Sequence, residues 1–76
     1  MSVTVYSTPS CGYCTMAKNY LRSKGIPYTD VNVAADRAKA EEMVRKTNQY
    51  GVPVLEINGS IVVGFDRPRI DALIGR

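Results

Sequence analysis

The run Val3-Thr4-Val5-Tyr6-Ser7-Thr8-Pro9-Ser10-Cys11-Gly12-Tyr13-Cys14 decides how this chain folds, because the period of its apolar residues changes across it. Val3-Thr4-Val5-Tyr6 is short, β-branched and alternating, as a strand requires, and Thr8-Pro9-Ser10 supplies the break that follows. Beyond the break Tyr13, Met16, Ala17, Tyr20 and Leu21 stand at i, i+3, i+4, i+7 and i+8, one face of a helix that runs until Gly25 ends it. The two cysteines of the chain, Cys11 and Cys14, therefore sit at a strand-to-helix junction. A C-x-x-C pair in that place reads as a redox-active dithiol.

The physics of the junction supports that reading. A helix leaves its first four N–H groups without partners and carries about half a positive charge at that end, so a thiolate there is stabilised. Cys11 is the candidate nucleophile. Cys14 lies one turn later on nearly the same face, within reach of a mixed disulfide on Cys11, and is the candidate resolving thiol. The chain has no histidine, so activation of Cys11 falls to the helix terminus, local N–H donors or Lys18, which reads otherwise as a solvated helix residue. Gly12 leaves the backbone after Cys11 unconstrained, and a lowered Cys11 pKa is expected. Tyr13, between the cysteines, is either a substrate-facing aromatic or a core residue on the Met16-Ala17-Tyr20 face.

Downstream, Pro27 to Val33 reads as a second strand, and Asp36 as the N-cap of a helix that turns Ala40, Met43 and Val44 inward. Glu41 with Arg45 and Glu42 with Lys46 are i,i+4 pairs on its solvated face. Val54-Leu55-Glu56-Ile57 and Ile61-Val62-Val63 are strands joined by Asn58-Gly59, the signature of a two-residue type I′ hairpin. Asp66 or Arg67 opens a last helix, with Pro68 in its first turn and Ile70, Leu73 and Ile74 facing the core. The order is β-α-β-α-β-β-α. The helical crossover makes the first two strands parallel and the hairpin is antiparallel, so the sheet is mixed.

Size and composition bound the rest. A chain of 76 residues, 45% hydrophobic and 22% charged, is one soluble α/β domain spanning 1–76. It has no apolar stretch of about 20 residues to cross a bilayer and no signal-peptide pattern at Met1-Ser2-Val3-Thr4, so a cytoplasmic location and no membrane partner are expected. In a reducing compartment the cysteine pair cycles rather than staying closed. The ten Lys and Arg residues, for a net charge of +3, are scattered from Lys18 to Arg76, which argues against nucleic acid and allows a mild preference for acidic protein partners.

Three separated elements carry a resemblance: Cys11-Gly12-Tyr13-Cys14 after the first strand, Val52-Pro53 before the third, and Gly64-Phe65-Asp66 after the fourth. In their order and spacing the chain resembles the glutaredoxins over essentially its whole length. The resemblance implies a thioredoxin-like fold with a four-stranded mixed sheet flanked by three helices, and thiol-disulfide oxidoreductase activity with glutathione as co-substrate and no tightly bound cofactor. It implies a cis bond before Pro53, which otherwise reads as a trans proline at a strand's first residue, and a Val52 backbone that pairs with a bound thiol peptide. It places substrate or glutathione contacts at Tyr13, Gln49, Val52, Pro53, Gly64, Phe65 and Asp66. Thr8 stands where many glutaredoxins have a lysine, Gly51 where a threonine precedes Val-Pro, and Val63-Gly64 where a double glycine is common.

Gly64-Phe65-Asp66-Arg67-Pro68 is similar to the Gly-Phe-Arg-Pro ending of glutaredoxin-like hydrogen donors of ribonucleotide reductase, with one Asp inserted. That branch implies thioredoxin reductase as partner, with Phe65 either an anchor for it or a core residue. A rival class is a carrier of an iron-sulfur cluster shared between two chains, which a small Gly12 accommodates. Another is an adaptor whose cysteines merely pack. A monomer that reduces disulfide-bearing proteins is the expectation.

Overall fold

The computed structural model of the chain describes residues 1–75; Arg76, the last of the scattered basic residues, lies outside the described residues. Seven elements follow in the expected order: β1 Val3–Ser7, α1 Gly12–Ser23, β2 Thr29–Asn32, α2 Arg37–Thr47, β3 Val54–Ile57, β4 Ser60–Val63 and α3 Arg67–Ile74. The sheet order is β2-β1-β3-β4. β1 runs parallel to β2, with Thr4 opposite Thr29, and antiparallel to β3, with Val5 opposite Leu55; β3 and β4 close the antiparallel hairpin, with Ile57 opposite Ser60.

Strand alternation divides the core between the two faces of this sheet. Val3, Val5, Leu55, Ile57 and Val62 face one side, where Ala17 and Leu21 of α1, Ile26, and Ile70 and Ile74 of α3 cover them. Tyr6 and Val54 face the other, with Val31 and Ile61 beside them, and Met43 of α2 covers that layer. Phe65 is half-buried and belongs to the first layer, edge-on to the Tyr20 ring at 5.9 Å. It packs as a core residue.

Local chemistry fixes the ends of the elements. Asn58 and Gly59 take φ of 50° and 87°, both left-handed as a type I′ turn demands. After α1, Gly25 at φ 70° lets its N–H reach the Arg22 carbonyl and the Ile26 N–H reach the Leu21 carbonyl, a Schellman closure with Leu21 and Ile26 both in the core. Asp36 and Asp66 cap α2 and α3, accepting from the N–H groups of Lys39 and Arg69. Along β4, the outermost strand on its side, the Arg69 guanidinium donates to the Ile61 carbonyl at 3.4 Å.

Two helix faces differ from expectation. On α1 the buried residues are Cys14, Ala17 and Leu21, while Tyr13 and Met16 are exposed, because the helix turns its first turn's side toward solvent around the cysteines. On α2 Met43 alone is buried and Ala40 and Val44 are half-exposed, since among the described residues a single helix covers this side of the sheet and none packs beyond it. The expected Glu41–Arg45 and Glu42–Lys46 pairs do not form: Glu41 pairs with Arg37 at 3.6 Å, Glu42 with Lys39 at 3.7 Å, and Lys46 crosses to Glu56 on β3 at 3.5 Å.

Candidate active site

The site is built where β1 ends. Thr8-Pro9-Ser10-Cys11 closes as a turn, the Cys11 N–H donating to the Thr8 carbonyl at 3.3 Å, with Pro9 in the place where its fixed φ suits a β-turn. Cys11 leaves that turn in an extended conformation and becomes the N-cap of α1, its carbonyl accepting the Thr15 N–H at 3.2 Å. Its Sγ, in the place where a capping hydroxyl usually sits, accepts the Cys14 N–H at 3.1 Å.

Cys11 and Cys14 are joined as a disulfide, their Cα atoms 5.2 Å apart. The two sulfurs are unequal in access. Cys11 is half-buried, whereas Cys14 is wholly buried. Cys11 Sγ also lies 3.7 Å from the Val52 carbonyl oxygen. Val52 and Pro53 are joined by a cis peptide bond, and the Pro53 carbonyl accepts the Gly64 N–H at 2.9 Å, Gly64 having φ 78°. The structure thus brings Cys11, Cys14, Val52, Pro53 and Gly64 into one unit.

The other expected contact residues stand around it at different distances from the chemistry. Tyr13, 66% exposed, lines an open surface with Gly12 and Met16 and is no core aromatic. Asp66 is exposed two residues past Gly64, with one carboxylate oxygen engaged by the Arg69 N–H at 3.2 Å. Gln49 is half-buried and its N–H donates to Thr47 Oγ; no hydrogen bond among the described residues ties it to the cysteines. Thr8 is half-buried and supplies a carbonyl and no cation.

Lys18 is engaged by an acid on β2. Its ammonium pairs with Asp30 at 3.1 Å, and the other Asp30 oxygen accepts from the buried Ser7 hydroxyl at 2.6 Å. Burial raises the Asp30 pKa, but the Ser7 and Lys18 hydrogen bonds and the Lys18 charge outweigh it and hold the carboxyl below its usual value. This cluster ties β1, β2 and α1 together one turn beyond Cys14. Sequence reasoning passed over it; the available signal was a charged residue, Asp30, inside an otherwise uncharged strand pattern. Among the described residues no three His, Cys, Asp or Glu side chains stand together as a metal site, and no helix is long and apolar enough to cross a membrane.

Known proteins agree with this geometry. The glutaredoxin family model matches residues 3–62. An uncharacterized glutaredoxin-like 8.6 kDa protein of the rubredoxin operon of Clostridium pasteurianum is 50% identical over 72 residues, 95% of this chain and 96% of that protein. Glutaredoxin 3 of Escherichia coli K12 is 32% identical over 65 residues, 86% of this chain and 78% of that protein. The glutaredoxin-like NrdH-redoxin of Escherichia coli, a protein with a thioredoxin-like activity profile, superposes with a TM-score of 0.83 at 25% identity, covering 96% of this chain and 95% of its own.

Proposed function

This chain belongs to the glutaredoxin family, and we propose that within it the protein is a dithiol thiol-disulfide oxidoreductase, with Cys11 as nucleophile and Cys14 as resolving thiol. The observation that supports these roles is the asymmetry of the pair: Cys11 is half-buried at a helix N-cap, and Cys14 is fully buried behind it. The Cys11 thiolate attacks one sulfur of a substrate disulfide, forming a mixed disulfide and expelling the other sulfur as a thiolate that takes up a proton. The Cys14 thiolate, its proton released to solvent, then attacks Cys11 Sγ. The Cys11–Cys14 disulfide forms, the second substrate thiolate leaves and is protonated, and two electrons have passed to the substrate. A second dithiol or two thiols reopen the bridge.

Val52, whose carbonyl borders the reactive sulfur, supports a substrate backbone lying along this segment as an added strand. Tyr13, Gln49, Pro53, Gly64 and Asp66 complete the proposed substrate face, with glutathione mixed disulfides and protein disulfides as substrates in a cytoplasmic setting; Phe65, packed on Tyr20, supports it from the core side. A second reading, a hydrogen donor to ribonucleotide reductase recharged by thioredoxin reductase, draws on Thr8, which offers no cation to a glutathione carboxylate, and on the likeness to NrdH-redoxin. NADPH-coupled reduction of the oxidised protein separates the two. Turnover with glutathione and glutathione reductase supports the first reading; turnover only with thioredoxin reductase replaces it with the second.

A further inference from the structure

Met1 lies at the far end of β1, but the other exposed large apolar side chains among the described residues stand in segments next to the proposed reactive sulfur. Tyr13 and Met16 flank it on α1, and Tyr50, 83% exposed, stands two residues before Val52. Two residues of chain span at most about 7 Å. Tyr50 is therefore a near neighbour of the strip along which a substrate backbone would lie.

Beside Tyr50 runs an open groove lined by Arg37, Ala40, Glu41, Val44, Arg45 and Tyr50. Its floor is the apolar pair Ala40 and Val44, half-exposed because no described residue covers that part of α2. Its rim is cationic. Arg37 takes up the charge of Glu41, the one acid of the groove, and Arg45 has no ion-pair partner among the described residues. A tyrosine and an arginine beside an apolar floor are residue types enriched in protein interfaces, and none of the three features contributes to this chain's own core.

We propose that this groove is a docking surface for protein substrates, receiving an acidic and apolar segment next to the target cysteine of a disulfide-bearing protein. Tyr50 packs on the segment's apolar side chains and Arg45 pairs with its carboxylates. The proposal rests on the exchange reading above and names its substrate class. The net charge of +3 favours the encounter of such a partner over a basic one.

The test uses the whole protein recycled by dithiothreitol and three disulfides. They are hydroxyethyl disulfide and two peptides sharing one cystine, the first flanked by Asp, Glu and Leu, the second with Lys in place of each acid. The ratio of kcat/KM for the acidic over the basic peptide is read within each protein, so a loss of folded material cancels. The natural chain is expected to favour the acidic peptide about three- to fivefold at low salt, the scale of one exposed ion pair. Arg45→Glu brings the ratio to one or below, and Tyr50→Ala raises KM for both peptides. A ratio of one in the natural chain, or an unchanged ratio in Arg45→Glu, overturns the groove and leaves the exchange chemistry standing. Inertness toward all three disulfides overturns the exchange reading and the groove with it.

Discussion

Cys11 is given two jobs with one atom: its sulfur is the proposed reactive centre and also the acceptor that caps α1. The cap donor is the N–H of Cys14 itself, so a negative sulfur is favoured at this position by a hydrogen bond and by the helix end. Alkylation of the reduced protein by iodoacetamide is therefore expected to titrate with a midpoint below about 8.5, the value of a free cysteine. Cys14, buried behind it, is expected to alkylate more slowly. Cys14→Ser should accumulate mixed disulfides on Cys11, and Cys11→Ser should lose disulfide reduction altogether. Asp30 makes the second prediction at this scale. Its folded pKa is depressed, so its contribution to stability is present above the unfolded value of about 3.9 and is lost as the pH falls through the lower folded value. Asp30→Asn should unfold at a slightly lower temperature than the natural chain at pH 7, by the roughly 0.2–1 kcal/mol of an exposed pair. The gap should close below about pH 3.9; a gap that widens there would contradict the assignment. The cysteines were legible because residue type and spacing alone mark them. The side to which Tyr13 points and the partner of Lys18 were not, because the packing of α1 on β1 and the place of Asp30 on β2 are set by no local pattern.

Turn and cap chemistry is local, and it is the part of this fold that reads most directly from residues. Asn58-Gly59, Gly25, Asp36, Pro68 and the switch from alternating to helical period each act within a few residues of where they stand. Strand ends were less legible: β2 begins at Thr29, two residues after Pro27, because pairing with β1 starts at Thr4. The inward face of α2 was half legible. Met43 is covered as its spacing implies, while Ala40 and Val44 obey the same spacing with no second layer to receive them. Removing the cap of this helix tests how much it depends on its own ends. Asp36→Ala frees the Lys39 N–H and should lower stability by about 1 kcal/mol, seen as a shift of the urea midpoint with an unchanged slope.

At the scale of the molecule, the placement of β3 between β1 and β4 is what carries Val52 and cis-Pro53 to the cysteines, which are some forty positions away in the chain. No periodicity specifies that neighbour relation. The fold class came through resemblance, whereas the residues alone gave a mixed sheet with two of its pairings. Leu55 sits at the centre of this arrangement, opposite Val5 on one side and Val62 on the other, and is fully buried. Leu55→Ala is expected to cost about 2–5 kcal/mol, and in a domain this small to lower the melting temperature by roughly 10 °C or more in calorimetry. The guanidinium on the Ile61 carbonyl has a consequence of another kind. β4 is the outermost strand on its side, and Ile61, in the pair next to the closing Ile57–Ser60 pair of the hairpin, turns its backbone groups outward. With Arg69 bonded to that carbonyl and bringing a positive charge to the rim, the strand is a poor template for a foreign one. The protein thus blunts one boundary against pairing with a foreign strand while leaving open, beside Val52, the backbone proposed to receive a substrate.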